Sequence, residues 1–486
     1  MMPQNDNALI SESRIPAFLI GGTHSGSGKT TLTLGILAAL KARGLMVQPF
    51  KCGPDFIDPS LHKMVTGQVS SNLDLRMCGQ EFCRNTFHRR LLEQGAGVVG
   101  VVEGVMGLFD GGSSSSAALA EALDLPVVLV IDARSAAESV AAVLKGFEVY
   151  NPSVQIKGVI FNRVGSVRHA ALIRGAVEQS CQAMILGFFP RDIRFEIPDR
   201  HLGLHMGDEA PLNKNQLAGL IAAVEQHIDL DALLSLGAGR QLASPLLHPS
   251  LTPTSPGRSV RSPLPPSMAP AASGHPWPSS LKLAVARDLP FCFYYEDNLA
   301  ILEKTGFELL QFSPLHDQKL PEGMDALYLG GGYPELHAED LSRNVAMRSA
   351  IADWARGGGV IHAECGGFMY LCEELIDLDG KAHAMAGVFP ATVRMQSRLS
   401  RLGYRQPLLK MDCLWGTKGE VLHGHEFHYS MIDRMDPDVE TIYQLEDGRT
   451  EGFKVGNAVG GYLHLHFGQT ERNVDTFYNY IWQIQN

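Results

Sequence analysis

Two α/β domains, each a parallel sheet doubly wound with helices, are what this sequence predicts, and three observations carry the prediction. From residue 17 to about residue 231, short apolar strands alternate with helical patterns, as parallel sheets require. Between residues 244 and 280 that periodicity stops: ten of the 27 prolines fall there, among Ser, Ala and Thr. From Leu281 a second strand–helix alternation begins, with glycine clusters of its own.

At 486 residues the chain is long enough for two or three domains with full cores. A hydrophobic content of 45% and a charged content of 19% describe an ordinary globular protein. The net charge of −11 argues against a nucleic-acid partner, because no basic stripe offsets it. None of the eight cysteines forms a C-x-x-C pair, so neither zinc nor a disulfide framework is indicated. Residues 1–16 lack the apolar core of a signal peptide and are expected to be disordered. The most apolar stretch is interrupted by Glu103, so no membrane span is expected and the chain reads as cytoplasmic.

Taken in order, the first domain is expected over 17–240, with strands at 17–20, 47–51, 98–103, 127–132 and 158–162. Each ends at a polar residue or a turn; Lys51, Glu103, Asp132 and Asn162 sit at carboxyl ends, where doubly wound sheets gather ligands. Residues 241–280 read as a flexible linker, since their composition buries too little apolar surface to offset ordering entropy. The second domain, 281–486, is expected to have strands at 282–286, 309–312, 326–329 and 360–363, with more towards the C-terminus.

The first strand runs into Gly21-Gly22-Thr23-His24-Ser25-Gly26-Ser27-Gly28-Lys29-Thr30-Thr31, and a helix-periodic segment follows at 32–40. Strand, glycine-rich turn and helix make a phosphate loop. Gly26 and Gly28 let backbone N–H groups face phosphates, Lys29 reaches the β- and γ-phosphates, and Thr30 offers its hydroxyl to Mg²⁺. The spacing departs from the usual loop, with Thr23 where the first glycine belongs and Gly22 one residue earlier. After strand two, Asp55 and Asp58 lie in a Gly/Pro turn; they suit Mg²⁺ binding or substrate orientation, or else simply cap backbone N–H groups. Glu103 ends a wholly apolar strand, where a carboxylate is costly unless it serves a cation, and so reads as a second Mg²⁺ ligand. Residues 113–116, four serines, read as a flexible loop rather than an anion contact. Asn162 is placed to read an adenine edge.

In the second half Cys365 stands at a strand–helix elbow, Val360-Ile361-His362-Ala363-Glu364-Cys365-Gly366-Gly367. That turn exposes a nucleophile beside backbone N–H donors, and a helix N-terminus lowers a thiol's pKa. Gly330-Gly331-Gly332-Tyr333 offers further oxyanion donors. His464 and His466 both qualify as the base; in an extended segment they share a face, so spacing does not choose between them. His425, Glu426 and His428 diverge in an extended run and read as substrate contacts or structural hydrogen bonds rather than a metal site.

These motifs resemble the cobyrinate a,c-diamide synthase family. The similarity lies in Gly22-Thr23-His24-Ser25 through Thr31, the run Phe50 to Pro59, Ser71-Asn72-Leu73-Asp74, Val102-Glu103-Gly104, Gly330 to Glu335, Glu364-Cys365-Gly366-Gly367, and Gly424 to Ser430. It covers nearly all of the chain outside the linker. The resemblance implies an amidoligase domain like dethiobiotin synthetase, which shares the shifted phosphate-loop spacing, fused to a class I glutamine amidotransferase domain. It implies that Lys29 and Thr30 bind the nucleotide and the metal and that Glu103 is a Mg²⁺ ligand, while Gly26, Gly28, Thr31 and Asn162 are assigned to ATP by their positions on the loop and at the strand end. It further implies that Asp55 and Asp58 act at the acyl phosphate, that Cys365 is the glutaminase nucleophile and that His464 is its base. His466 occupies the position of the triad glutamate of most class I amidotransferases, which this family also lacks. Cys52 and Phe56 stand where the family pattern has Val and Tyr, and the linker is longer.

The implied reaction is ATP- and glutamine-dependent amidation of the a and c acetates of cobyrinate, through an acyl phosphate. The same scaffold amidates hydrogenobyrinate, nickel-sirohydrochlorin and sirohaem, so the tetrapyrrole stays open. A partition-type ATPase switch would share the phosphate loop but would need no Cys365 elbow. The expected partners are the small molecules tetrapyrrole, glutamine and ATP, with a homodimer possible and neither nucleic acid nor membrane.

Overall fold

The computed structural model describes residues 15–192, 199–200, 203–204, 206–209, 212–238, 280–469 and 471–485. Almost all of the expected disordered N-terminus and of the expected linker lies outside the described residues.

The first sheet has seven strands, all parallel: β1 (Ala17–Gly22), β2 (Met46–Cys52), β3 (Ser71–Leu73), β4 (Val98–Glu103), β5 (Val127–Asp132), β6 (Ile156–Val164) and β7 (Met184–Pro190). Their order is β3-β2-β4-β1-β5-β6-β7. β1 and β4 are buried along their whole length, as unbroken apolar runs in a parallel sheet must be. On one face pack α1 (Lys29–Ala42) and α2 (Ile57–Thr66), with Leu32, Ile36, Leu40 and Leu61 in the core. On the other, α3 (Gln80–Glu93) brings Phe87 and Leu91 onto Phe50 and Val102. α1 starts three residues earlier than its apolar period suggests, because Gly28 takes a left-handed φ of +94° and turns the chain into the helix.

The serine run is not a flexible loop. Ser115 caps α4 (Ser116–Ala122) by accepting from the Ala118 N–H, and Ser116 Oγ bonds both the N–H and the C=O of Val105. All three of Ser114 to Ser116 are buried, so the segment is a brace under the loop after β4.

The second sheet has eight strands. Five are parallel: β8 (Leu281–Ala286), β9 (Phe307–Phe312), β10 (Ala326–Leu329), β11 (Val360–Glu364) and β21 (Ala458–Gly461). Three antiparallel strands extend it: β16 (Leu408–Leu409), β19 (Glu440–Gln444) and β20 (Thr450–Val455). Two small sheets complete the domain. One joins β12 (Cys372–Ile376), β13 (Ala382–Ala384), β14 (Phe389–Met395) and β18 (Ser430–Met435); the other joins β15 (Arg401–Arg405), β17 (Gly424–His428) and β22 (His464–Leu465). The sequence reading left these only as further strands near the C-terminus, since two- to seven-residue strands with one wet face carry little periodicity.

The two units are stapled by side chains that cross between them. Phe56, just before α2, stacks on Phe293 at 4.9 Å and packs on Tyr295 at 4.5 Å. Tyr404 Oη donates to Asp74 Oδ2 at 2.7 Å, and the buried Asp297 takes Ser71 Oγ at 3.2 Å with Arg90 beside it at 3.3 Å. Replacing Tyr404 by Phe removes one charge-assisted bond and leaves a carboxylate oxygen short of a donor. Tyr404→Phe should therefore destabilise the protein by about 1–2 kcal/mol, read as a lowered urea midpoint, and an unchanged midpoint would show the contact to be idle.

Candidate active site

The first centre forms where β1, β2 and β4 end. Gly22 explains the shifted spacing: a Cβ there would lie 2.4 Å from Ser27 Oγ and 2.9 Å from Lys29 Cγ, so the glycine is needed one residue early. Lys29 folds back over the loop and donates to the Met106 carbonyl at 2.5 Å. Burial, then repulsion from Lys51, lowers the Lys29 ammonium from its ordinary value, which marks a cation that gains most from a polyanionic ligand. Gly26 and Gly28 both take left-handed φ, and Thr31 sits half-buried in the first turn of α1.

Thr30 Oγ1 donates to Glu103 Oε1 at 2.7 Å. Glu103 is fully buried and its other oxygen meets His62 Nε2 at 2.8 Å, while Ser70 Oγ meets the far His62 nitrogen at 2.9 Å. Lys51 joins the cluster, 2.5 Å from Asp58 Oδ2, 3.4 Å from Glu103 Oε1 and 3.9 Å from Asp55 Oδ2. Burial opposes charge on Lys51, but Asp58, Glu103 and Asp55 outweigh it and hold the ammonium above its usual pKa. Burial opposes charge on Glu103 as well, yet Lys51 and His62 hold its carboxyl below the usual range. Asp58 goes the other way: burial, then Asp55 and Glu103, push it up in spite of Lys51.

The two aspartates of the turn thus separate. Asp55 Oδ1 accepts the Ile57 N–H at 2.8 Å, the capping role, and is half-exposed, while Asp58 points inward into the ion cluster. Sequence reasoning left Lys51 without a role and passed over His62. The second was findable, because His62 lies one helical turn after Asp58 on the same face of α2. Asn162 Nδ2 donates to Ser27 O at 2.9 Å and its Oδ1 accepts from Arg163 N–H. It braces the phosphate loop from below. Beside the exposed loop opens a cleft of about 610 Å³ lined by His24, Asp132, Arg134, Arg163 and Arg191.

Thr30 and Glu103 fit a magnesium ion by their chemistry: two hard oxygens 2.7 Å apart at a phosphate loop. Mg²⁺ ordinarily takes one or two such groups and completes its shell with phosphate oxygens and water.

The second centre forms where β11 and β21 end. Cys365 takes φ +46° and ψ −104°, a strained conformation for a residue with a Cβ, and caps the short α5 (Gly366–Leu371). Its N–H donates to Gly461 O at 2.7 Å, which pins the elbow to the neighbouring strand. Burial, then the charge of Glu335, push the Cys365 thiol well up, and the Gly366 N–H does not compensate. A thiol so placed needs a base before it can act as a nucleophile. Of the glycine run, Gly330 N–H donates to Tyr294 Oη, Gly331 is bridged to Phe293 and Tyr333 N–H donates to Pro290 O, which leaves the Gly332 amide as the oxyanion candidate. Gly332 lies against the start of α5, where a Cβ on Gly366 would come within 3.0 Å of its nitrogen.

His464 and His466 meet different neighbours, although the His466 N–H still pairs with His423 O as the ladder runs on past Leu465. His464 sits over Gly331, where a Cβ would come 2.3 Å from its Cε1, and its Nδ1 is 3.8 Å from Glu364 Oε2. Burial, then His425 stacked at 5.0 Å, lower its pKa to about 3, so it is a neutral imidazole. His466 packs on Tyr295 and Phe82 at the domain boundary, and its Nδ1 accepts the Gly468 N–H. In the 425–428 run, His425 Nδ1 meets Tyr295 Oη at 3.0 Å, Glu426 binds Arg405 and Arg449, and His428 Nδ1 takes its partner from Ser430 O. A cleft of about 450 Å³ opens beside this strand, lined by Arg398, Arg401, His428 and Glu451 among others. Burial pushes the Glu451 carboxyl up to about 8. No sequence signal marked it.

The centres meet at Phe56. Its ring lies 5.1 Å from that of His464, while Asp55 and Asp58 on either side of it face Lys51.

Residues 18–204 match the CobQ/CobB/MinD/ParA nucleotide binding domain family, and residues 282–472 match the CobB/CobQ-like glutamine amidotransferase domain family. The chain is 39% identical over 467 residues to the cobyrinate a,c-diamide synthase of Salmonella typhimurium, covering 94% of this chain and 96% of that one. It is 38% identical over 468 residues to that of Caldanaerobacter subterraneus subsp. tengcongensis, covering 95% and 97%. To that of Syntrophotalea carbinolica it is 39% identical over 464 residues, covering 93% and 95%.

Lys51 is the natural probe of the first centre. Lys51→Met leaves Glu103 and Asp58 buried without their cation and should cost about 3–5 kcal/mol of stability. Glu103, held below its unfolded pKa, contributes stability that is complete above the unfolded value and lost as pH falls through the folded one. The variant should lose that acid-side dependence. Wild-type stability across pH 3–7 would show the cluster to be energetically neutral.

Proposed function

We propose that this chain, which belongs to the cobyrinate a,c-diamide synthase family, converts cobyrinate to its a,c-diamide by way of acyl phosphates, with glutamine as nitrogen donor. It is an ATP-dependent amidating enzyme with a glutamine amidotransferase domain, and the family's glutamine-dependent amidation belongs to cobalamin biosynthesis. One observation supports the detailed reading most: the turn before α2 carries carboxylates into the phosphate-loop centre and a ring onto the histidine of the cysteine centre. We take 17–240 as the synthetase domain and 281–486 as the glutaminase domain.

In the glutaminase centre His464 Nε2 removes the Cys365 thiol proton, and the thiolate attacks the glutamine carboxamide carbon. The Gly332 amide receives the oxyanion. The C–N bond breaks as His464 returns the proton, ammonia leaves, and water clears the glutamyl thioester. The arginine- and glutamate-lined cleft beside β17 is suited to the charged head of glutamine.

In the synthetase centre an acetate oxygen of the tetrapyrrole attacks the γ-phosphorus of ATP and ADP departs. Lys29 and the loop amides neutralise the phosphates, and Asn162 keeps the loop in shape through Ser27. A magnesium ion held by Thr30 and Glu103 would offset the charge on the β- and γ-phosphates. Asp58, anchored by Lys51, orders the turn over the acyl phosphate, and ammonia then displaces phosphate at the carbonyl carbon.

The test is amide formation on a panel of cobyrinate, sirohydrochlorin-type substrates and sirohaem, with either glutamine or ammonium. Cobyrinate should be diamidated fastest, and preference for another tetrapyrrole would reassign the substrate. Cys365→Ser should abolish glutamine-dependent amidation and keep the ammonium-dependent reaction. Gly331→Ala, whose methyl displaces His464, should do the same. Lys29→Ala should lose synthesis with either nitrogen source. Glutamine use by Cys365→Ser would refute the glutaminase assignment.

Asp58→Asn isolates the turn. It should bind ATP within a few-fold of wild type yet form amide at least about 100-fold more slowly, because the contact it removes acts on turnover rather than binding. Normal amidation by Asp58→Asn and Asp55→Asn alike would reduce the turn to a structural element.

A further inference from the structure

We infer that Glu364, the residue before the nucleophile, is the carboxylate that orients His464 and fixes its tautomer, in place of a glutamate two residues after the histidine. The inference rests on the Cys365–His464 reading above and deepens it.

Position 466 holds a histidine whose Nδ1 already accepts the Gly468 N–H and whose ring faces Phe82 and Tyr295. It brings no negative charge to His464. Glu364 does. It is buried, it ends β11, and its Oε2 lies 3.8 Å from His464 Nδ1, a ring nitrogen that is buried without a hydrogen-bond partner among the described residues. That separation is long for a hydrogen bond, as apo geometries of catalytic pairs often are before substrate tightens them.

What makes Glu364 an orienting group is the set of donors that hold it. Trp415 Nε1–H, which can only donate, meets His362 Nδ1 at 3.2 Å, so His362 carries its proton on Nε2. That Nε2–H donates to Glu364 Oε1 at 3.1 Å. Leu465 N–H, the amide next to His464, donates to the same oxygen at 3.1 Å. Tyr328 Oη–H donates to Oε2 at 3.2 Å. Three donors from three strands converge on one carboxylate, and the histidine nitrogen is the fourth group on its rim. An acceptor-only group at that point favours Nδ1–H on His464 and leaves Nε2 bare to take the thiol proton. Because Glu364 and Cys365 are adjacent, base and nucleophile are referenced to the same elbow.

Glu364→Gln is the sharp variant. Two donors, from His362 and Leu465, hold one oxygen, so the substituted amide turns its NH₂ towards His464 Nδ1. His464 then carries its proton on Nε2 and cannot act as base. Glutaminase kcat should fall about 10²- to 10⁴-fold with glutamine KM nearly unchanged, the range set by wrong-tautomer variants of hydrolytic triads. In ¹⁵N-histidine-labelled protein the His464 signals, assigned by difference with His464→Gln, should show Nδ1 protonated in wild type and Nε2 protonated in Glu364→Gln. Ammonium-dependent amidation by the same preparation checks that the chain is folded.

Glutaminase activity of Glu364→Gln within threefold of wild type overturns the inference. So does a loss of activity with the His464 tautomer unchanged, which would make Glu364 a structural residue. If the variant does not fold, the wild-type spectrum decides alone, since Nε2–H on His464 there is incompatible with the assignment. Failure of the underlying reading is distinct: it appears as glutamine use by Cys365→Ser, whatever Glu364→Gln does.

Discussion

A single buried ammonium organises the synthetase half of this molecule. Lys51, at the end of β2, is surrounded by Asp58, Glu103 and Asp55 and by the Gly104 carbonyl. An uncompensated charge at such depth costs several kcal/mol, so the carboxylates and the lysine are obligatory to one another. The pairing does more than neutralise. It pulls α2 onto the sheet through Asp58 and holds Glu103 upright under Thr30. With Asp58 anchored, the turn just before α2 is held in place, and Phe56 projects from it.

Phe56 ties that constraint to the second half. The residue is bracketed by the aspartates of one centre and stacked among Phe293, Tyr295 and His464 of the other. A shift of the turn when phosphates bind would therefore be felt at His464 without any long relay. The same packing explains why the cores do not stop at the domain boundary. Tyr295 belongs to the core of the first unit, and Phe56 packs on that of the second.

Strain is concentrated where the chemistry is expected. Of five described non-glycine residues with positive φ, Met106 offers the carbonyl that holds Lys29, Arg163 reaches Gly26 O from behind the phosphate loop, and Cys365 is the elbow itself. Each is held by hydrogen bonds to a neighbouring strand or loop, and surroundings that over-determine a backbone can keep it in a conformation costing about 1–3 kcal/mol.

The sequence by itself determined what backbone chemistry dictates locally: the phosphate loop, the charged residues that close apolar strands, and a cysteine on a strand-to-helix turn. Glycines at 26 and 28, an apolar run ending in Glu103 and a Gly-Gly pair after Cys365 are signals written within a dozen residues, so they are legible without a fold. Only the tertiary structure decided what depends on distant groups meeting. His62 and Lys51 reach Glu103 from 41 and 52 residues away, and Glu364 holds the Leu465 amide 101 residues on. Alternation leaves His464 and His466 as equal candidates, and their neighbours tell them apart: Phe56 and Glu364 for His464, Phe82 and the Gly468 amide for His466. The helix end is the one influence on the Cys365 thiol that the sequence shows, and burial and the charge of Glu335 join it only in the fold. Burial and electrostatics sum over everything the chain folds around a group, and a linear pattern records only the neighbours along it.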